Sequence, residues 1–281
     1  MASRIIPLLL FLSFISAQIA LPTFQAVHTP QTAEASSLYE FTSHTFTNCG
    51  ATGREGPTLA NCKSSYDVSW EDDTDYFNVP SDAGIQYWTV PQTATYTIEV
   101  WGAKGGGGNN YGKGARMKGD FNLSEDDVLK IVVGQAGGAY QSGSGGGGTF
   151  VVKKTGSGAS DITALIVAGG GGGQYSSSSD LYNTHAVTST SGQSTNRKSG
   201  GTNGGGGSGD NGSGASGGGG LTGNGTNGTY GTGGKSFVDG AAGGDDSSHD
   251  AARGGFGGGG GTAADGAIFK GGFRKYARGG I

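Results

Sequence analysis

The sequence has little of what enzyme domains and nucleic-acid-binding proteins are built from. Of its 281 residues only 33% are hydrophobic, six are proline and two are cysteine. So small a hydrophobic fraction argues against a large apolar core. The net charge of −4 offers no basic field to a phosphate backbone, so no nucleic-acid partner is expected. With so few prolines and no strict G-X-Y period, collagen is excluded despite the abundant glycine.

Long hydrophobic runs are absent after residue 26. The longest later run, Ala164–Ala168, has five residues, whereas a transmembrane helix needs about 20. Residues 1–26 are typical of a secretory signal peptide, because Arg4 precedes an apolar run at 5–15 and small residues follow. The candidate cleavage sites follow Ala17, Ala20 and Ala26. We expect a secreted, extracellular protein with no further membrane span; the alternative is an uncleaved signal anchor.

The two cysteines fit an oxidising compartment. Cys49 and Cys62 are 13 residues apart and have no third thiol to compete, which predicts a disulfide. The alternative is two reduced thiols. Four N-x-[ST] sequons are candidate glycosylation sites, although chance alone produces many in so Ser/Thr/Asn-rich a chain. They are Asn122, Asn211, Asn224 and Asn227.

Short strands dominate the first half of the chain. In Thr95–Trp101, Tyr96, Ile98 and Val100 alternate with polar residues, the period of a half-buried strand. The other candidate strands are Tyr39–Thr47, Gly84–Pro91, Ala115–Leu123, Val128–Val133, Thr149–Lys153 and Leu165–Ala168. Outside the signal peptide no segment longer than ten residues has a clean helical period. The pattern predicts an all-β fold, a sandwich or jelly roll.

Glycine is concentrated after Trp101, where 58 of the 62 glycines lie. The main runs are Gly105–Gly108, Gly145–Gly148, Gly169–Gly173, Gly204–Gly207, Gly217–Gly220 and Gly257–Gly261. They could be disordered, or they could form extended polyglycine-II helices that bond backbone to backbone. Several runs directly adjoin apolar strands, which favours order. The Ser/Thr-rich segment 174–199 is the candidate mobile loop.

No motif supports catalysis, a metal site or a cofactor. Ser216 matches G-x-S-x-G without the strand and helix that a nucleophile elbow needs. Lys235 lacks the phosphate-loop spacing. The acidic groups near Asp72 and Asp245 lack the frame of a calcium loop and are interpreted as solvated surface. We therefore expect no catalytic residue, no metal ligand and no cofactor.

Nine short sequence segments stand in a characteristic order along the chain: residues 46–58, 84–91, 96–106, 119–123, 129–135, 147–152, 165–173, 235–244 and 254–261. This order is similar to the glycine-rich extracellular domain of the anaplastic lymphoma kinase and leukocyte tyrosine kinase receptors. The resemblance implies a tumour-necrosis-factor-like jelly roll with inserted polyglycine-II helices. It also implies a protein ligand and a possible homodimer, and any kinase activity would belong to a missing downstream region. Because ligands of that family tend to be basic, Asp239, Asp245 and Asp246 become candidate ligand contacts.

We divide the chain into a signal peptide at 1–26, a linker at 27–38, a glycine-rich domain at 39–261 and a basic tail at 262–281. Within the domain, 39–168 is β-rich and 169–261 is Gly-rich. The function predicted is a secreted, non-catalytic module that recognises a protein or glycan at a cell surface or in the matrix. Loop tyrosines could supply contacts. They are Tyr175, Tyr182 and Tyr230.

Two alternatives remain open. The chain could be an ectodomain fragment of a receptor tyrosine kinase that binds a small protein. It could also be a structural matrix or ice-binding protein, for which regularly spaced threonines would be the signal. The candidate series is Thr222, Thr226, Thr229 and Thr232.

Replacing Cys62 with serine tests the predicted disulfide. Loss of the cross-link is expected to lower the free energy of unfolding by about 3 kcal/mol and to loosen the 49–62 loop without unfolding the glycine-rich region. Secretion yield and thermal melting measure the effect. A variant that secretes and melts like the wild type would show that the disulfide is absent or without consequence.

Overall fold

A computed structural model describes residues 37–80, 84–107, 111–139, 143–173, 185–193, 199–209, 216–229, 231–246 and 253–261. The predicted signal peptide, the basic tail, most of the linker and most of the 174–199 loop lie outside these ranges. The described secondary structure is one short helix and seven strands, which confirms the all-β class. The elements are α1 Leu59–Ser65, β1 Phe77–Asn78, β2 Gln86–Thr89, β3 Ala94–Trp101, β4 Arg116–Leu123, β5 Val128–Val132, β6 Thr149–Lys154 and β7 Ile162–Ala168.

The strands form two antiparallel sheets. Five of them pair in the order β1-β2-β5-β6-β7, and β3 pairs with β4 along eight residues. The inner face of the β3–β4 sheet packs on the larger sheet, so that Val100, Met117 and Phe121 share a core with Ile166. Along β3 the predicted alternation is confirmed: Val100 is buried while Thr95 and Thr97 are exposed.

An aromatic cluster fills the core near the N-terminal end of the described chain. The predicted strand Tyr39–Thr47 is wrong, because this segment pairs with no strand and is held by its side chains instead. The Phe41 ring lies 5.0 Å from that of Trp88. The Tyr66 hydroxyl accepts a hydrogen bond from the Thr47 backbone N–H at 3.0 Å. The aromatic residues that indicated a strand are instead half-buried in this cluster, without strand pairing.

Helix α1 and strand β1 were not predicted. The helix has only seven residues and begins with a capping box, in which Thr58 and Asn61 each bond the other's backbone N–H. Asn61 stands where the motif usually has Glu or Gln, so its sequence signal is weak. Strand β1 has two residues, too few for any periodic pattern.

A second core joins the glycine-rich region to the outer face of the larger sheet. Phe237 and Phe256 are 2% and 1% exposed and pack with Phe150, Val152 and Val167. The Phe150 and Phe237 ring centroids are 5.5 Å apart. Because glycine has no side chain to bury, these two phenylalanines supply the apolar anchorage of a long polar stretch.

The described glycine segments are joined by backbone hydrogen bonds. Consecutive residues donate to three different neighbours: Gly145 to Gly260, Gly146 to Gly171, and Gly147 to Gln135. Each of the glycine runs that the sequence left open between order and disorder therefore has backbone hydrogen bonds to other segments in the part that the structure describes. A Cβ atom at Gly147 would overlap the carbonyl oxygen of Phe256, so glycine is required for this approach.

A matched pair of alanine substitutions tests this close packing. Gly147→Ala is expected to destabilise the fold by several kcal/mol, because a methyl group cannot fit against the Phe256 backbone. Gly207→Ala is the control, since Gly207 is also buried but the added Cβ would lie 3.6 Å from the nearest atom, the Ser199 oxygen. It should be neutral or stabilising by about 0.5 kcal/mol. Equal melting temperatures for the two variants would contradict the packing described.

His44 lies inside the aromatic cluster. Its ring meets those of Phe46, Tyr66 and Trp70 edge-on, with centroids 4.5–4.9 Å away. Its buried Nε2 atom has no hydrogen-bond partner among the described residues. Burial lowers the pKa of His44 below its ordinary value of 6.5.

Stability should therefore depend on pH through His44. The unfolded chain takes up a proton near pH 6.5 that the folded chain resists, so stability is complete above that pH and falls as the pH drops below it. Denaturant unfolding from neutral pH to about pH 5 measures the slope. His44→Phe keeps an aromatic ring without a titrating group and should flatten this part of the profile. An unchanged profile would assign the dependence to another group.

Candidate binding site

A disulfide-closed loop forms one wall of the candidate site. Cys49 and Cys62 are joined as predicted, with Cα atoms 4.8 Å apart and Cys62 held in α1. The chain reverses beside Cys49 through Gly50, whose φ of +75° is readily reached without a side chain. The disulfide and the capped helix together fix both ends of the loop between them.

The loop is docked on the glycine segments by backbone and side-chain hydrogen bonds. Gly243 N–H donates to the Arg54 carbonyl at 2.8 Å, and Arg54 Nε donates back to the Gly243 carbonyl at 3.1 Å. Phe256 N–H donates to the Gly53 carbonyl at 2.7 Å. Gln135 Nε2 donates to the Glu55 carbonyl at 3.0 Å. The loop and the glycine segments consequently position each other.

A cleft of about 470 Å³ opens at this junction and is lined by residues 52–55, 136–138 and Arg253. Both arginines of this lining pair with the carboxylate of Asp245, which is not itself a lining residue: Arg253 Nε lies 2.7 Å and Arg54 Nη1 3.8 Å from it. Arg54 also pairs with Glu55 at 2.9 Å, and the Glu55 side chain is 65% exposed. The cleft therefore combines a fixed, partly buried ion cluster with a carboxylate that is open to solvent.

The electrostatics of Asp245 follow from these neighbours. Burial raises its pKa, but the hydrogen bond from Arg253 and the charges of Arg54 and Arg253 outweigh that effect. The net pKa lies below the ordinary value, so Asp245 is ionised at neutral pH.

The three predicted acidic contacts differ in their surroundings. Asp239 is exposed and accepts a hydrogen bond from Asn224 Nδ2 at 2.6 Å. Asp245 is paired with Arg253 and Arg54, which line the cleft, and Asp246 is only 4% exposed. Only the first two thus present a carboxylate that a ligand could reach.

The candidate glycosylation sites also differ. Asn122 is exposed on β4, where its Oδ1 accepts a hydrogen bond from Thr95. Asn224 and Asn227 use their Oδ1 atoms to accept backbone N–H groups of Ser236 and Gly233. Asn211 lies outside the described residues, as do Tyr175, Tyr182 and Tyr230.

Sequence reasoning missed Arg54, Arg253 and Trp101. The two arginines are far apart in sequence, so no local motif brings them together. Trp101 is 55% exposed, with the Arg116 guanidinium 5.5 Å from its ring. The period-two pattern of β3 did place residue 101 on the polar face, so that signal was present.

The part of the chain that the structure describes lacks two kinds of feature. No group of three or more His, Cys, Asp or Glu side chains is arranged to hold a metal ion there. No helix within the same ranges is long and apolar enough to cross a bilayer.

The chain is partly similar to a known receptor. No protein-family model matches the chain. The leukocyte tyrosine kinase receptor of Mus musculus is 38% identical over 96 residues. The match covers 33% of this chain and 11% of the receptor, so the chain spans only a small part of that relative's length. The similarity indicates a relationship to that receptor family over about a third of the chain.

Proposed function

We propose that the chain is a secreted, non-catalytic binding module that recognises a protein through the cleft at the disulfide loop. The observation that carries the proposal is the cluster of Arg54, Glu55, Asp245 and Arg253 on a backbone held by hydrogen bonds. Charged groups fixed in place suit a charged protein surface better than a neutral glycan, because they contribute specificity through complementary charge.

A basic ligand surface fits this cleft best. Asp245 is already paired with two arginines, whereas the exposed Glu55 carboxylate shares only one of them. Of these two carboxylates, Glu55 is therefore the more accessible to an incoming Lys or Arg. Asp239 is a further contact for the same kind of ligand, and the extracellular location follows from the predicted signal peptide.

For the fold we propose a jelly roll with inserted polyglycine-II helices over 39–261, with the β-rich and Gly-rich parts as predicted. The spacing of the backbone hydrogen bonds along the glycine runs supports the polyglycine-II helices. Gly145 and Gly148, three residues apart, donate to Gly260 and Gly257 of one neighbouring segment, while Gly146 and Gly147 donate to others. A helix of three residues per turn returns to the same neighbour every third residue.

A second candidate is the ectodomain of a receptor tyrosine kinase, favoured by the similarity to the mouse receptor. An antibody to residues 84–101, applied to medium and membrane fractions, separates a small secreted species from a large membrane-bound one. The ice-binding alternative gains nothing from the threonines, whose hydroxyls are used internally: Thr222 Oγ1 donates to Gly204, and Thr232 Oγ1 accepts from Asp245 N–H.

Charge reversal at the exposed carboxylate tests the proposed cleft. Glu55→Lys is expected to weaken binding of the secreted protein to a panel of cell surfaces by about tenfold or more, because it opposes a basic ligand. Glu40→Lys, the same change at another exposed position, is the matched control and should bind normally.

A glycan array and protease-treated cells complete the experiment. Binding that disappears after protease treatment supports a protein ligand. Binding that survives protease and reappears on the array would assign a glycan ligand instead. Absence of binding to every surface, or equal loss in both variants, would overturn the cleft as the recognition site.

A further inference from the structure

Strand β4 is an unpaired sheet edge eight residues long. On one side it pairs with β3, and no hydrogen bond joins its other side to the rest of the described chain. Such an edge is a template for a further strand unless it is blocked. It contains no proline.

The register shows which groups of β4 face outward. Gly102 N–H donates to the Ala115 carbonyl, which continues the β3–β4 ladder by one bond, whereas Ala115 N–H donates to Gly169. The bond from Gly102 makes the adjacent pair of Trp101 and Arg116 a non-bonded one. Hydrogen-bonded and non-bonded residue pairs alternate along an antiparallel ladder. The residues of β4 that form non-bonded pairs with β3 are therefore Arg116, Lys118, Asp120 and Asn122. Their N–H and C=O groups point to the free edge. In agreement, the Trp101 carbonyl, opposite Arg116, accepts from Thr149 rather than from β4.

The charges along this edge are complementary to themselves. Arg116, Lys118, Asp120 and Asn122 are all exposed on the outer face. In an antiparallel pair of two β4 strands centred on Gly119, Lys118 stands opposite Asp120 of the second copy, and Arg116 opposite Asn122. Opposite charges in such positions stabilise pairing, and like charges oppose it. Centring on Lys118 or on Asp120 would instead place that residue against its own copy.

The side chains on the other face of β4 also fit an antiparallel pair centred on Gly119. Met117 would stand opposite Phe121 of the second copy, extending the apolar face on which both are only 7% exposed. Gly119 lies on the symmetry axis and has no side chain to obstruct it. The free edge of β3 lacks this complementarity, since Glu99 is its only charged residue.

We propose that β4 pairs with β4 of a second copy of this chain, antiparallel and centred on Gly119, so that the two β3–β4 sheets become one four-stranded sheet. The partner is the chain itself because the edge supplies both charges of each ion pair. The inference does not depend on the cleft or on its ligand.

Sedimentation of the secreted protein at several concentrations tests the pairing. The wild type is expected to dimerise. Lys118→Asp should raise the dissociation constant of the dimer by about tenfold or more, because two like-charge contacts replace two ion pairs. Adding Asp120→Lys to the same chain exchanges the charges and should restore the dimer. Lys154→Asp, at an exposed position on β6, is the matched control and should change nothing.

Cysteine cross-linking provides a second readout that does not rely on charge. Lys118→Cys and Asp120→Cys, mixed and mildly oxidised, should form a disulfide between copies, because opposed bonded residues have Cα atoms about 5.5 Å apart. Each variant alone should cross-link far less. A wild type that stays monomeric, a dimer indifferent to Lys118→Asp, or equal cross-linking of single variants and mixture would overturn the proposal.

Discussion

The absence of Cβ atoms along the glycine segments is the constraint on which this structure depends. Gly147 approaches the Phe256 backbone so closely that even a methyl group would overlap it. Buried backbone groups must be paired, and here neighbouring segments supply the partners that strands would otherwise provide. Ordering so much glycine is costly in conformational entropy, so the hydrogen bonds need an external anchor. The β sheet provides it through Phe237 and Phe256.

This anchorage makes the two halves of the chain depend on each other. The larger sheet buries the phenylalanines, and the glycine segments in turn hold the disulfide loop through Gly243 and Phe256. The position of the disulfide loop therefore depends on the glycine segments as well as on the aromatic core. Its orientation depends on glycine segments that come much later in the chain. This is why Arg54 and Arg253 can pair with the same carboxylate, that of Asp245.

Sequence patterns within short segments predicted the features that depend on nearby residues. The alternation of β3, the approximate positions of β2, β4, β5, β6 and β7, and the cysteine pair could all be read from neighbouring residues. The segment 39–47 was misassigned because burial of alternating aromatics does not require strand pairing. The cleft could not be predicted, since it depends on which glycine segments are neighbours, and identical Gly-Gly sequences give no signal to distinguish them.

The uniform glycine sequence also determines where the protein can bind a ligand specifically. A packed glycine segment has no side chains to offer a ligand and no room for any. The charged residues Lys235, Asp239, Asp245 and Arg253 accordingly lie outside the main glycine runs. Side chains for specificity come from such positions and from the docked loop, as at the cleft. They can also come from the β sheets, as on the edge of β4. Glycine packing fixes the positions of these groups, and the groups themselves supply the chemistry.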